Sequence, residues 1–252
     1  MSRRTEILSI YARIGRTYLG WAPSLLLLAA IVFVPLGLLH AIALESQLDS
    51  FGFDSGVELA VSGLAVLAVA ATGLLGEIFY TGAVSISLTH PHDGHPPSPR
   101  EIAGMVSYGP LIAVDLIYGA LVSVGIVLLV VPGILAFVWL GLTAPVVEIE
   151  KRGIREAFGR SVRLVHGRFW LVAVVLVPIE LLGDALTALS AAFADGLLPS
   201  RFLSEWLTDT LANLAFTPFY AVAAVLLTVD RIRETDGGGN RPALRTRELS
   251  EQ

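Results

Sequence analysis

The 252-residue sequence contains no cysteine, and only 15% of its residues are charged against 54% that are hydrophobic. The absence of cysteine excludes disulfides, thiol nucleophiles and cysteine-ligated metals. The mean hydropathy of +0.72 lies far from that of ordinary soluble domains and predicts a membrane protein. The net charge of -5 does not indicate a partner because the charges are segregated by side, and the sequence predicts no nucleic-acid partner.

Motifs of the common catalytic and cofactor-binding sites are also missing. The sequence has no G-x-S-x-G, no H-E-x-x-H, no Walker lysine and no Rossmann glycine pattern after a strand. It therefore predicts no enzymatic activity, no cofactor and no metal. The loop His90-Pro91-His92-Asp93-Gly94-His95 offers three imidazoles and a carboxylate, but not the spacing of a zinc signature. A flexible loop with incidental histidines is favoured over a metal site.

Apolar runs dominate the chain, and their lengths match the roughly 20 residues that span a bilayer. They predict an all-α, polytopic transmembrane helical bundle of about six spans. The predicted spans are residues 21–44, 59–88, 102–130, 134–149, 169–193 and 207–229. Pro132-Gly133 is the strongest breaker pair between the third and fourth spans and predicts the turn there. Residues 1–232 then form a single membrane domain, and residues 233–252, with three consecutive glycines and mixed charges, are predicted to be a disordered cytoplasmic tail.

Positive charge falls almost entirely on one side of this topology. Of the 17 Lys and Arg residues, only Arg201 falls on the other side, whereas the loop after the first span is acidic, with Glu45, Asp49, Asp54 and Glu58. Basic loops remain in the cytoplasm because translocating them is unfavourable. The sequence therefore predicts a multi-pass protein of the inner (cytoplasmic) membrane with both termini in the cytoplasm.

Two basic stretches have helical amphipathic spacing, residues 5–19 and 153–166. Both are predicted to be interfacial helices with their apolar faces towards the bilayer and their arginines near anionic lipid headgroups. The plainer interpretation is that they only anchor the topology. The alternative is a lipid-headgroup or partner-protein surface on the second helix, formed by Arg155, Arg160, Arg163 and Arg168.

A further pattern runs from Val131 to Leu182. It comprises Pro132-Gly133-Ile134, Ala144-Pro145-Val146-Val147-Glu148, then Ala157, Arg160-Ser161 and Leu164, and finally Gly167-Arg168-Phe169-Trp170. This pattern resembles the membrane domain of the glycerophosphoryl diester phosphodiesterase-like family and the YciC-type membrane proteins. The resemblance implies a helical membrane module without a catalytic role of its own. In the related enzymes hydrolysis belongs to a separate soluble barrel, which would need about 250 residues.

Four acidic residues lie well inside the predicted spans, away from their ends: Glu77, Asp115, Glu180 and Asp184. Counted at 1.5 Å per residue, the first three lie about 16–22 Å from the cytoplasmic boundary, with Asp184 one turn further out. No Lys or Arg shares their spans, so each carboxyl should be protonated, share a proton, or face water or a cation. The favoured interpretation is neutral carboxyls that hydrogen-bond between helices. The alternative is a polar site for a proton or a cation.

Two functions follow from these patterns. The first is a non-enzymatic structural or accessory membrane module that interacts with lipid or a partner protein. The second is a proton- or cation-linked transporter that uses the mid-membrane carboxylates.

Overall fold

The computed structural model describes residues 3–45, 76–91, 96–194 and 200–237, and these residues fold almost entirely into helices. The first two helices are α1 (Arg3–Glu45) and α2 (residues 76–89). The remaining helices are α3 (Pro99–Met105), α4 (Tyr108–Leu128), α5 (Val130–Leu140), α6 (Thr143–Glu150), α7 (Ile154–Val165), α8 (Phe169–Ala194) and α9 (Arg201–Thr235).

Five helical stretches are long and apolar enough to cross a membrane: Arg4–Leu38, Tyr108–Leu128, Val130–Glu150, Phe169–Ser190 and Phe202–Thr235. The described part contains no strand. This architecture confirms the predicted polytopic helical bundle. Most of the predicted second span, residues 59–75, lies outside the described residues, and α2 is its second half.

The bundle is built around α9, which packs along α1 and α8, while α4 and α5 pair with each other. Helix α2 lies between α1 and α4. Its Tyr80 hydroxyl donates to the Leu25 carbonyl of α1 at 2.8 Å. On the other side, a Cβ at Gly82 would approach the Leu111 side chain of α4 to 2.6 Å, so these two helices are in close contact. Because α2 touches both neighbours, its side chains reach the interior of the bundle.

Helix α1 differs from the prediction because it is continuous through the boundary placed between residues 5–19 and 21–44. Its amphipathic stripe is covered by protein: Ile10 is 8% exposed and Ile14 is fully buried. The Tyr11 hydroxyl donates to the Val174 carbonyl of α8 at 2.8 Å. The predicted lipid-facing stripe therefore packs against the protein's own helices, which provide the same apolar environment.

The turn between the predicted third and fourth spans occurs at Leu129, which is extended (φ -162°, ψ 126°), rather than at Pro132-Gly133. Pro132 instead lies in the first turn of α5, where a missing N–H leaves no helical hydrogen bond unmade. A Cβ at Gly133 would meet the Ile126 backbone nitrogen at 2.6 Å. Glycine is therefore needed there for close approach of α4 and α5.

Other boundaries also differ from the expected ones. An extended Val106 separates α3 from α4 inside the predicted span 102–130. Gly141 and Leu142 separate α5 from α6. Helix α9 begins at Arg201, six residues before the predicted span, and continues to Thr235, so the first residues of the predicted tail are helical. Residues 238–252 lie outside the described part.

Candidate intramembrane site

Two of the four intramembrane acids lie close together. The side chains of Glu77 on α2 and Glu180 on α8 line the same cavity and are near enough to interact. Glu180 lies about 16 Å along α8 from Phe169, near the middle of a bilayer whose hydrocarbon core is about 30 Å thick. The two carboxyls therefore lie near the membrane midplane.

The pair opens into a cavity of about 70 Å³ between α2, α8 and α9. A buried water needs roughly 10–15 Å³ of cavity volume, so the cavity has room for several waters. Asp184, one turn beyond Glu180, also lines the cavity and is exposed. Its remaining polar lining comes from Thr187 of α8 and from Asn213, Thr217 and Tyr220 of α9. No lysine or arginine is among the lining residues that the structure describes.

Sequence reasoning missed the contribution of α9. Asn213, Thr217 and Tyr220 recur at i, i+4 and i+7, which places them on one helix face in an otherwise apolar stretch. The Thr217 hydroxyl donates to the Asn213 side-chain oxygen at 3.1 Å. This spacing was the available signal that α9 presents a polar face at the depth of the carboxyls.

Two buried tyrosines adjoin the pair. Tyr118 of α4 is 2% exposed and Tyr220 is 5% exposed. The Tyr118 hydroxyl faces Tyr220 without reaching standard hydrogen-bond geometry. The Phe137 ring lies next to both, with centroid distances of 6.5 Å to Tyr118 and 5.9 Å to Tyr220. The inner wall of the site is thus aromatic, with hydroxyls available to the carboxyls.

Asp115 does not join this cavity. It is close enough to Glu77 for electrostatic repulsion, but its side chain lines a separate groove between α1, α2, α3 and α4. The structure therefore brings together Glu77, Glu180 and Asp184 and leaves Asp115 apart. No group of three or more His, Asp or Glu residues in the described part is arranged to hold a metal ion.

The structure describes only the first two residues of the histidine loop, residues 90–95. His90 is exposed and its Nδ1 lies 3.0 Å from the Thr89 hydroxyl. His92, Asp93 and His95 lie outside the described residues.

The four arginines proposed as a headgroup surface do not share one face. Arg155 and Arg163 on α7 are exposed, as is Arg168 just before α8. Arg160 is 6% exposed and turns inward, where it pairs with Glu150 and Asp236. Arg168 pairs with Glu6 of α1 at 3.0 Å. The apolar stripe of α7 is directed into the bundle rather than into lipid, with Ala157, Leu164 and Val165 fully buried.

Arg160 faces inward because it pairs there with two carboxylates that are distant from it in the sequence, Glu150 and Asp236. Burial disfavours the Arg160 charge, but hydrogen bonds to Glu150 and Asp236 outweigh burial, so the pKa of Arg160 is raised above its ordinary value.

A second group that sequence reasoning missed is Glu148, which is 1% exposed. It accepts hydrogen bonds from the Ser107 amide at 2.8 Å and from Lys151 at 2.5 Å. These ion pairs hold the ends of several helices together on one side of the bundle.

Comparison with known proteins yields one relative of note. The chain is 31% identical over 106 residues to a UPF0259 membrane protein of Pectobacterium carotovorum subsp. carotovorum (strain PC1). The aligned segment covers 41% of this chain and 42% of that protein, so the chain matches less than half of its relative's length. No family model matches the chain, and no solved structure matches it. The similarity, together with the apolar helices, supports a multi-pass membrane protein and agrees with the YciC-type part of the resemblance over the aligned segment.

Proposed function

We propose that this protein is a non-enzymatic, proton-linked transporter of the inner membrane, with the Glu77–Glu180 pair as its proton-binding site. The observation that supports this proposal best is the close approach of the two carboxyls at the wall of a polar cavity. A carboxyl pair near the midplane can gain or lose a proton as a water path opens and closes, and this change of charge can be coupled to movement of a solute.

The composition of the cavity favours a proton over a divalent cation. Divalent ions need several convergent oxygen ligands, and the described acids are not arranged in that way. The hydroxyls and the amide around the pair can order the waters that would carry a proton to it. The exposed carboxyl of Asp184 extends the polar surface from Glu180 along α8.

Proton flux in proteoliposomes that carry a trapped pH indicator tests the proposal. Glu77→Gln and Glu180→Gln keep the shape and the hydrogen-bonding capacity of each side chain but remove the exchangeable proton. Each should abolish flux. Glu156→Gln is the matched control, because Glu156 is an exposed carboxyl on α7 and should leave flux unchanged. Wild-type flux in both cavity variants would remove the transporter proposal.

The non-enzymatic part of the proposal rests on the missing catalytic motifs and on the resemblance of residues 131–182 to a membrane module. We place both termini in the cytoplasm because of the segregation of Lys and Arg. Under this proposal the chain corresponds to the membrane portion of the phosphodiesterase-like proteins and does not hydrolyse glycerophosphodiesters itself. Measurable hydrolysis by the purified protein would contradict it.

A second candidate function is a module that organises anionic lipid or a partner protein through α7. It is favoured by the two exposed arginines, Arg155 and Arg163, on the outer face of that helix. The double change Arg155→Ala/Arg163→Ala should lower the amount of phosphatidylglycerol that remains bound during purification from mixed-lipid membranes. Arg100→Ala, an exposed arginine on α3, is the control. Equal lipid retention in all three proteins would rule out this role for α7.

A further inference from the structure

A second cavity lies between α1, α2, α3 and α4 and differs in chemistry from the Glu77–Glu180 site. It has a volume of about 470 Å³, within the range of small-molecule sites. Its walls are almost wholly apolar and include Leu28 and Val32 of α1, Phe79 of α2, Ile102 and Ala103 of α3, and Tyr108 of α4. We call this cavity the α1–α4 groove.

Asp115 is the exception in this lining. It lies two turns along α4 from Tyr108 and is 1% exposed, and among the described residues neither carboxyl oxygen has a hydrogen-bond partner. The Phe79 amide lies beside it, but the contact falls short of hydrogen-bond geometry. No lysine or arginine is among the groove residues that the structure describes. A buried carboxyl without a partner is costly, so its retention in an apolar groove calls for a ligand that pairs with it.

An aromatic pair also lines the groove. The rings of Phe79 and Tyr108 have a centroid distance of 5.9 Å. The Tyr108 hydroxyl donates to the Ala103 carbonyl of α3 at 2.9 Å, which holds its ring in position. Aromatic faces attract cations, most strongly where water is excluded. The groove thus combines apolar walls, two aromatic rings and one unpaired acid.

We propose that the α1–α4 groove binds a hydrophobic organic cation, an amine or onium compound, whose apolar body fills the groove and whose positive centre lies against Asp115. A lipid acyl chain would cover the carboxyl and leave it without a partner, whereas a cation satisfies both the apolar walls and the acid. This site is separate from the Glu77–Glu180 cavity and does not depend on the proposed proton transport.

Equilibrium dialysis of the purified full chain with radiolabelled tetraphenylphosphonium tests the site. The wild type should bind the probe saturably, and Asp115→Asn should weaken binding by about tenfold or more. The neutral analogue triphenylphosphine oxide should bind both proteins equally. Equal phosphonium affinity in the wild type and Asp115→Asn would overturn the proposal.

A second variant tests the location without altering the acid. Ala103→Leu adds bulk at the groove, whereas Gly104→Leu adds it at the next position of α3, where a Cβ meets nothing within 4 Å. Ala103→Leu should weaken phosphonium binding several-fold and Gly104→Leu should not. The same affinity in both variants would place the probe elsewhere. Because these assays measure binding alone, their outcome is independent of the flux measurements on Glu77 and Glu180.

Discussion

The Arg160 guanidinium lies 2.9 Å from the Glu150 carboxylate, and both side chains are only 8% exposed. The same guanidinium reaches the Asp236 carboxylate at 2.7 Å. One side chain of α7 therefore connects the last residue of α6 with the residue that follows α9. The arginine was expected to face lipid headgroups, and it instead joins three segments of the bundle.

Replacing Arg160 should destabilise the fold much more than replacing a neighbouring exposed arginine. Arg160→Ala removes the pairs with Glu150 and Asp236, but Glu150 keeps Arg152 as a partner. The loss should therefore stay below the roughly 3 kcal/mol that an uncompensated buried charge costs. Arg160→Lys should recover only part of that loss because an ammonium cannot reproduce the guanidinium fork. Unfolding in SDS mixed micelles measures the effect, with Arg155→Ala as the control. Similar stabilities for Arg160→Ala and Arg155→Ala would show that the ion pair contributes little.

Gly133→Ala should separate the α4–α5 hairpin. A Cβ at that position would lie 2.6 Å from the Ile126 backbone nitrogen, and backbone cannot move aside as a flexible side chain can. Overpacking of this kind costs about 1–3 kcal/mol. Gly104→Ala is the matched control, since it meets open space and should be neutral or slightly stabilising. Thermal unfolding in nanodiscs distinguishes the two variants, and an unchanged melting temperature for Gly133→Ala would contradict the close approach.

Tyr80 should contribute more to the stability of the fold through its ring than through its hydroxyl. Tyr80→Phe removes the hydrogen bond to the Leu25 carbonyl, and such bonds within membranes contribute only about 0.6 kcal/mol on average. Tyr80→Leu also removes the contact with Phe33, whose ring centroid lies 5.5 Å away, and should cost several-fold more. Comparison of the two variants by SDS unfolding tests this order. A larger loss for Tyr80→Phe than for Tyr80→Leu would reverse it.

The proposed orientation in the membrane can be checked with paired reporter fusions. Fusions after Asp54 and Ser200 should report a non-cytoplasmic location, and fusions after Gly94 and Gly153 a cytoplasmic one, because the basic loops resist translocation. Gly153 separates α6 from α7, so a fusion there leaves both helices intact. A reversed result at any of the four positions would contradict the topology.

The helical bundle could be predicted from the sequence because apolar run length and breaker residues act locally. A stretch such as residues 169–193 is too apolar to be anything but a membrane-length helix, and α8 covers Phe169–Ala194. Helix ends were less predictable. The α4–α5 break falls at Leu129, not at the nearby Pro132, because a proline is tolerated in the first turn of a helix.

The candidate sites could be predicted only in part from the sequence. Residue counting alone put Glu77, Asp115 and Glu180 at similar depths, because helical rise is fixed at about 1.5 Å per residue. Depth does not specify the direction in which each helix face points. Packing of α2 between α1 and α4 turns Glu77 towards Glu180, while Asp115 faces the α1–α4 groove. In the same way, the amphipathic pattern of α7 determined by itself that this helix has an apolar face. Only the tertiary structure decided that neighbouring helices, and not lipid, cover this face and Arg160. The sequence could not decide between the two because protein and bilayer interiors are equally able to bury apolar side chains.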